Sequence, residues 1–260
     1  PNDIAAVEHT MREHDDIAAV ILEPTGAGMG QVPVYPEFLK ELREATTKHG
    51  IVLIFDEVVT GFRISPGGAQ ALYGVTPDVT TLAKILAGGL PGGAVSGRAD
   101  ILNMIAHDDN NGEHRVGHAG TFNANPLAAA AGTATLSLVS SGEHNAKADA
   151  SATELRRGIN DIMIRMEIPG CCYGLSSVFQ LRLGLPCQCT DDDHQHPNES
   201  QGVTPPALVR QLRLAALNAG MDLMGGRSGL VSSAHTEDDI QHTLASFDKA
   251  FTALRGDGRI

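Results

Sequence analysis

The run Ile51-Val52-Leu53-Ile54-Phe55, entered through Gly50 and stopped by two carboxylates, Asp56 and Glu57, constrains this 260-residue chain more than any other stretch. Five apolar residues rich in β-branched types read as a short strand covered on both faces, the pattern of a parallel sheet in an α/β protein. Ligands of such sheets sit just beyond the carboxyl ends of the strands. Asp56 therefore stands where a sheet meets a pocket. A second apolar segment, Asp78-Val79-Thr80-Thr81-Leu82-Ala83, ends in Lys84 and runs into the glycine-rich stretch 87–93. Upstream, residues 17–22 read as a strand and 23–33 as a glycine-rich turn. Residues 36–49 read as an amphipathic helix with Phe38, Leu39, Leu42 and Ala45 as its apolar stripe. Pro36 suits its first turn and Gly50 its end. Strand, helix and strand in this order form a βαβ unit.

A lysine and an aspartate at neighbouring strand ends have a specific chemical use. A lysine amine condenses with an aldehyde to a Schiff base, and a carboxylate opposite a pyridine nitrogen keeps that nitrogen protonated. Taken singly, Lys84 reads more simply as a solvated surface residue and Asp56 as a turn residue after a strand. Their surroundings decide between the readings.

Four blocks stand in order: Glu23-Pro24 with Gly26, Gly28, Met29 and Gly30; Asp56-Glu57-Val58-Val59-Thr60-Gly61-Phe62-Arg63; Thr81-Leu82-Ala83-Lys84 with Gly88-Gly89-Leu90-Pro91-Gly92-Gly93-Ala94; and Gly120-Thr121-Phe122-Asn123-Ala124-Asn125-Pro126-Leu127. Together they resemble the class III (subgroup II) aminotransferases, with wording nearest to the glutamate-1-semialdehyde 2,1-aminomutases within that family. Four blocks over about a hundred residues are far more specific than one motif. The resemblance implies the α/β fold of the type I pyridoxal-phosphate enzymes. The chain would hold an incomplete, mostly parallel large-domain sheet with helices on both faces (residues 1–141) and a small carboxyl-terminal α/β domain (142–260). It implies that Lys84 carries the Schiff base and moves the substrate proton, that Asp56 pairs with the pyridinium nitrogen, and that Val58 packs under the ring. Val58 reads equally as an ordinary core valine. Gly120 and Thr121 resemble the element that reaches the cofactor phosphate from a neighbouring subunit, although Thr121 also reads as a cap for the following helix. A homodimer acting on a small amino acid or amine follows from the same likeness, as aminotransferase or aminomutase. The family's main phosphate-binding turn, its ring-stacking aromatic residue and a basic substrate-orienting residue lie upstream of these blocks. The chain is accordingly expected to be the carboxyl-terminal part of a longer protein or a truncated product. The alternative reading is an inactive remnant that binds the cofactor or a related subunit.

Composition narrows the partners. The formal charge is −12, from 31 acidic and 19 basic residues, which argues against nucleic acid and anionic membranes. No apolar run reaches the length of a membrane span, and no leader-like segment is visible, so a cytoplasmic setting is expected. Four cysteines, Cys171-Cys172 and Cys187-x-Cys189, suit reduced thiols better than a disulfide framework. Cys187, Cys189, His194 and His196 lie too close together for a common zinc pattern, and an exposed polar insertion with no metal is expected there. Arg63 and Arg227 could grip a carboxylate but read more simply as structural ion-pair partners. Glu57 points to the face opposite Asp56 and reads as a hydrogen-bond acceptor behind the site. A helix is expected over 100–106, a polar loop over 107–117 and a helix over 125–139. Further helices are expected over 144–166, 204–219 and 236–254, with strands at 178–183, 221–224 and 230–233.

Overall fold

A computed structural model of the chain describes residues 2–106, 115–186 and 204–260. It divides into two compact units, Pro1–Met29 with Val34–Gly142, and Gly30–Pro33 with Glu143–Ile260. The expected division at 141/142 differs in two places: it leaves Gly30–Pro33 with the first part and Gly142 with the second.

In the first unit, α1 (Ile4–Glu13) starts at Asp3, whose carboxylate accepts the Ala6 N–H. Strand β1 (Ala19–Leu22) leads to α2 (Pro36–His49), which has proline in its first turn and is closed by Gly50 at φ 69°. Then follow β2 (Val52–Glu57), the short α3 (Gly68–Tyr73), β3 (Val79–Ala83) and β4 (Gly93–Gly97). The sheet order is β1-β2-β3-β4, with the first three strands parallel and β4 antiparallel to β3. In the register, Ile54 lies opposite Val79 and Asp56 opposite Thr81. Phe38, Leu39 and Leu42 of α2 and Met11 of α1 pack with Leu53 and Phe55, each fully buried side chain contributing about 1.5–3 kcal/mol. Strand β2 is not covered equally on both faces as its composition suggests. Leu53, Phe55 and Glu57 are buried, whereas Val52, Ile54 and Asp56 are only partly so. The reason is that α1 and α2 both join the core on the Leu53 face, and on the other face Ile21 remains 60% and Val95 42% exposed.

The expected helix over 100–106 is a single turn, α4 (Ala99–Leu102), that tightens into the 3₁₀ segment Asn103–Ile105. Most of the polar loop expected over 107–117 lies outside the described residues. Helix α5 (Pro126–Val139) is capped by Asn125, which accepts the Leu127 and Ala128 N–H groups.

The second unit contains α6 (Glu143–Arg165), β5 (Gly170–Tyr173), β6 (Val178–Leu183), α7 (Pro206–Asn218), β7 (Ser228–Leu230) and α8 (Glu237–Gly256). Its sheet is antiparallel, in the order β5-β6-β7. The alternation of β6 suggests one open face, yet all six residues are buried. As the central strand, it has Tyr173 opposite Gln180, and the Tyr173 hydroxyl donates to the carbonyl of Gln31 in the Gly30–Pro33 segment of this unit. Residues 221–224 form no strand: Met224 makes only a bridge to Ser228, and β7 begins earlier than expected. Phe247 packs edge-on to Phe179 and beside Phe251, with ring centroids 6.2 and 5.7 Å apart. Thr236 and Asp239 form a capping box at the start of α8.

Cys171 is disulfide-bonded, which departs from the reduced thiols expected, and Cys172 is a free buried thiol. Cys187, Cys189, His194 and His196 lie outside the described residues. Among the described residues no helix is long and apolar enough to cross a membrane, and no group of three or more His, Cys, Asp or Glu residues could hold a metal ion.

Candidate active site

Strand β2 delivers two adjacent carboxylates to opposite faces of the sheet, and the two are held differently. Asp56 is half-buried, and its Oδ1 accepts the Val58 N–H at 3.1 Å and the Thr81 hydroxyl at 3.2 Å. No described residue donates to its Oδ2. Glu57 is 1% exposed and saturated. It accepts from the Thr60 hydroxyl at 3.1 Å, the Ala69 and Gln70 N–H groups at 2.6 and 3.3 Å, and the Gln70 side-chain amide at 3.1 Å. The Gln70 amide also donates to Thr80 at 3.3 Å. The adjacent threonines of β3 thus serve the two faces: Thr81 reaches Asp56, and Thr80 joins the network of Glu57. A cleft of about 480 Å³ opens on the Glu57 side, lined among others by Gly61, Phe62, Gly68 and Leu82. Asp56 is not part of it.

Strand β3 ends at Ala83, and Lys84 opens a 3₁₀ turn over Lys84–Ala87. Lys84 has φ 51°, a left-handed backbone that costs a non-glycine residue roughly 1 kcal/mol or more and persists only where its surroundings enforce it. The turn that follows packs closely, backbone against backbone, on α5. A Cβ on Gly88 would lie 2.6 Å from the Ala131 carbonyl oxygen, and one on Gly132 would lie 2.4 Å from that of Leu86. Lys84 itself is exposed and makes no ion pair or hydrogen bond among the described residues. Thr81 is opposite Asp56 and Lys84 lies three residues beyond it. Strand geometry therefore puts the Asp56 and Lys84 Cα atoms about 11 Å apart.

A third carboxylate ends β1. Leu22 pairs with Phe55, so Glu23 adjoins Asp56. Its two oxygens accept the N–H groups of Gly28 at 2.9 Å and Met29 at 3.0 Å, both residues being left-handed. Sequence reasoning placed Glu23 and Thr81 in motifs without these contacts, and it did not single out Gln70. A threonine one register position from a strand-end aspartate was the available signal for Thr81.

Of the other candidates, Val58 joins this group through its backbone. Val58 is half-buried and supplies the amide to Asp56. Gly120 and Thr121 are exposed in a turn closed by Asn123, whose side chain donates to the His118 carbonyl. Thr121 does not cap α5, because Asn125 does. Burial lowers the pKa of the Arg63 guanidinium. Arg227, in the second unit, makes no ion pair among the described residues, contrary to the structural role expected of it.

The mostly parallel α/β sheet with its packed helices is that of the pyridoxal-phosphate transaminase fold, as solved structures show. An omega-transaminase from Sphaerobacter thermophilus superposes with a TM-score of 0.83 and 32% identity, over 98% of this chain and 56% of that one. A transaminase solved with PLP bound gives 0.84 and 27%, over 100% and 57%. A family model for class-III aminotransferases matches residues 2–171, and the chain belongs to that family. Among its curated relatives, the glutamate-1-semialdehyde 2,1-aminomutases of Pyrobaculum islandicum and Desulfotalea psychrophila are each 38% identical over 257 residues. The match takes in 98% of this chain but only 58% and 57% of theirs, so the chain spans little more than half the length of these relatives.

Proposed function

We propose that this chain supplies the lysine and the ring-anchoring aspartate for pyridoxal-phosphate-dependent amino-group transfer on a small amino acid or amine, as an aminotransferase or an aminomutase. The observation that carries the reading is the asymmetric hold on Asp56: one oxygen is tied down by two donors, and the other has none among the described residues. That second oxygen is not among the buried polar atoms left without a partner, so it is open to a ligand. A protonated ring nitrogen would donate to that oxygen, and the Lys84 amine, which makes no ion pair or hydrogen bond among the described residues, suits an aldehyde at the far side of the same ring.

Bound pyridoxal phosphate would supply an aldehyde and an electron-accepting ring. Asp56 would hold the proton on the ring nitrogen, with Val58 packed beneath the ring. Lys84 would first anchor the cofactor and then carry the proton between substrate and cofactor carbons, a role worth roughly 10²–10⁴-fold. Gly120 and Thr121 would donate to the phosphate of a second copy of the chain. Their exposure supports this, as does the exposed apolar company they keep, Phe122 at 60% and Leu127 at 68%.

The test is formation of keto product from a panel of amino acids and amines in the presence of pyridoxal phosphate. Wild-type protein should give product, Asp56→Asn should slow it on the order of 10²-fold, and Lys84→Ala should abolish it. Product formation that survives Lys84→Ala would overturn the reading. Cofactor uptake with no transfer to any acceptor would support a binding role in place of an enzymatic one.

A further inference from the structure

We propose that Thr81 is a positioning residue for the cofactor, acting through Asp56. The inference rests on the reading of Asp56 given above and deepens it. An aspartate carboxylate turns broadly about its last torsion, so one hydrogen bond leaves its plane poorly defined. Here Oδ1 takes two donors of different origin, the Val58 N–H from the turn that follows β2 and the Thr81 hydroxyl from the neighbouring strand. Two donors on one oxygen fix the plane of the group and leave Oδ2 as the oxygen for a ligand. The Val58 donor is backbone and moves with the turn. Thr81 is the donor that ties Asp56 to β3, the strand that ends in Lys84. Its hydroxyl therefore couples the aspartate to the strand of the lysine, and a site works only when such groups are held within a fraction of an ångström.

On the other side of β3, Thr80 joins Gln70 and Glu57. That network holds the strands together whatever stands at position 81, so loss of the Thr81 hydroxyl alone should spare the fold. Thr81→Val keeps the β-branched shape and removes the donor. Thr81→Ser keeps the donor and removes the methyl group, and Thr81→Ala removes both.

Pyridoxal phosphate is titrated into wild type and the three variants, following the visible band of the bound cofactor and its dependence on pH. Thr81→Ser should bind within about twofold of wild type. Thr81→Val and Thr81→Ala should bind about tenfold more weakly, about 1.4 kcal/mol by conversion, and their band should titrate at a pH displaced from that of wild type. Equal melting temperatures would confirm that the fold is intact, and if Thr81→Val fails to fold, the comparison of Ser with Ala carries the same decision. The proposal is overturned if Val behaves as wild type while Ser is weak, because packing of the methyl group would then be what matters. It is also overturned if all four proteins bind alike. A wild-type protein that takes up no cofactor would instead bring down the underlying reading, a distinct result because it needs no variant.

Discussion

Asp56 and Glu57 are neighbours in sequence with opposite duties, and the difference lies in which face of β2 each occupies. Glu57 is buried and answers four donors, so Glu57→Ala should strand the Ala69 and Gln70 amides and cost about 3 kcal/mol in chemical denaturation. Lys84 is exposed and bonded to nothing described, so Lys84→Ala should leave stability within about 0.5 kcal/mol of wild type. Titrating groups separate in the same way. Burial raises the pKa of Asp149 above its ordinary 3.8, only partly offset by the Ser176 hydroxyl and the Arg156 charge. The folded state then holds the proton more tightly than the unfolded chain. The resulting stabilisation is full at low pH and is lost as pH rises from 3.8 through the raised value. Asp149→Asn should therefore melt higher than wild type at pH 7, and the gain should shrink below pH 4. Asp56 and Lys84 stand out in the sequence because each closes an apolar run. The contact of Thr81 does not, because its partner is set by a register between strands 25 residues apart. That of Gln70 does not either, because it depends on how a short helix packs against the end of β2. No local pattern displays either one.

Elements with a strong local period were read correctly, and those decided by neighbours were not. Helix α2 shows its proline, stripe and terminal glycine in sequence, and the structure returns the same bounds. Strand β5 is only four residues long and carries Cys171-Cys172, so nothing marks it until β6 pairs with it. Strand β6 looks half-open because Gln180 and Arg182 alternate with apolar residues, but a central strand buries both faces. Two tests belong at this scale. Asp78 joins α2, β2 and the end of β4 by accepting the Leu53 N–H at 2.8 Å and the Arg43 and Arg98 guanidiniums at 2.9 and 3.1 Å. Burial opposes its charge, but the Leu53 amide and the two arginines outweigh this and hold its pKa below the ordinary 3.8. Its contribution is complete above that value and lost as pH falls through the folded-state pKa. Asp78→Ala should cost about 1–3 kcal/mol at neutral pH by leaving the Leu53 N–H unpaired, and thermal melts from pH 3 to 7 should show a weaker acid dependence than wild type. Gly132→Val should push α5 away from the turn that begins at Lys84, lowering stability by about 1–3 kcal/mol. Cofactor attachment should suffer with it.

For the whole molecule, the sequence blocks gave the family and fold class, while completeness of the site depends on what lies against its exposed parts. The stretch from Val116 to Leu127 exposes Val116, Phe122 and Leu127, and α5 exposes Leu138. Exposed apolar side chains of this size suit contact with another chain where they lie together. If a second copy covers it, wild-type protein should sediment as a dimer and Phe122→Asp should shift it toward monomer, whereas identical sedimentation of the two would exclude that interface. The central claim is that Lys84 is the residue that takes the cofactor, and reduction with borohydride followed by peptide mapping tests it most directly. Protein incubated with pyridoxal phosphate and then reduced should carry one pyridoxyl group, on the peptide containing Lys84, and Lys84→Ala should carry none. A label on another lysine, or one that persists in Lys84→Ala, would contradict it.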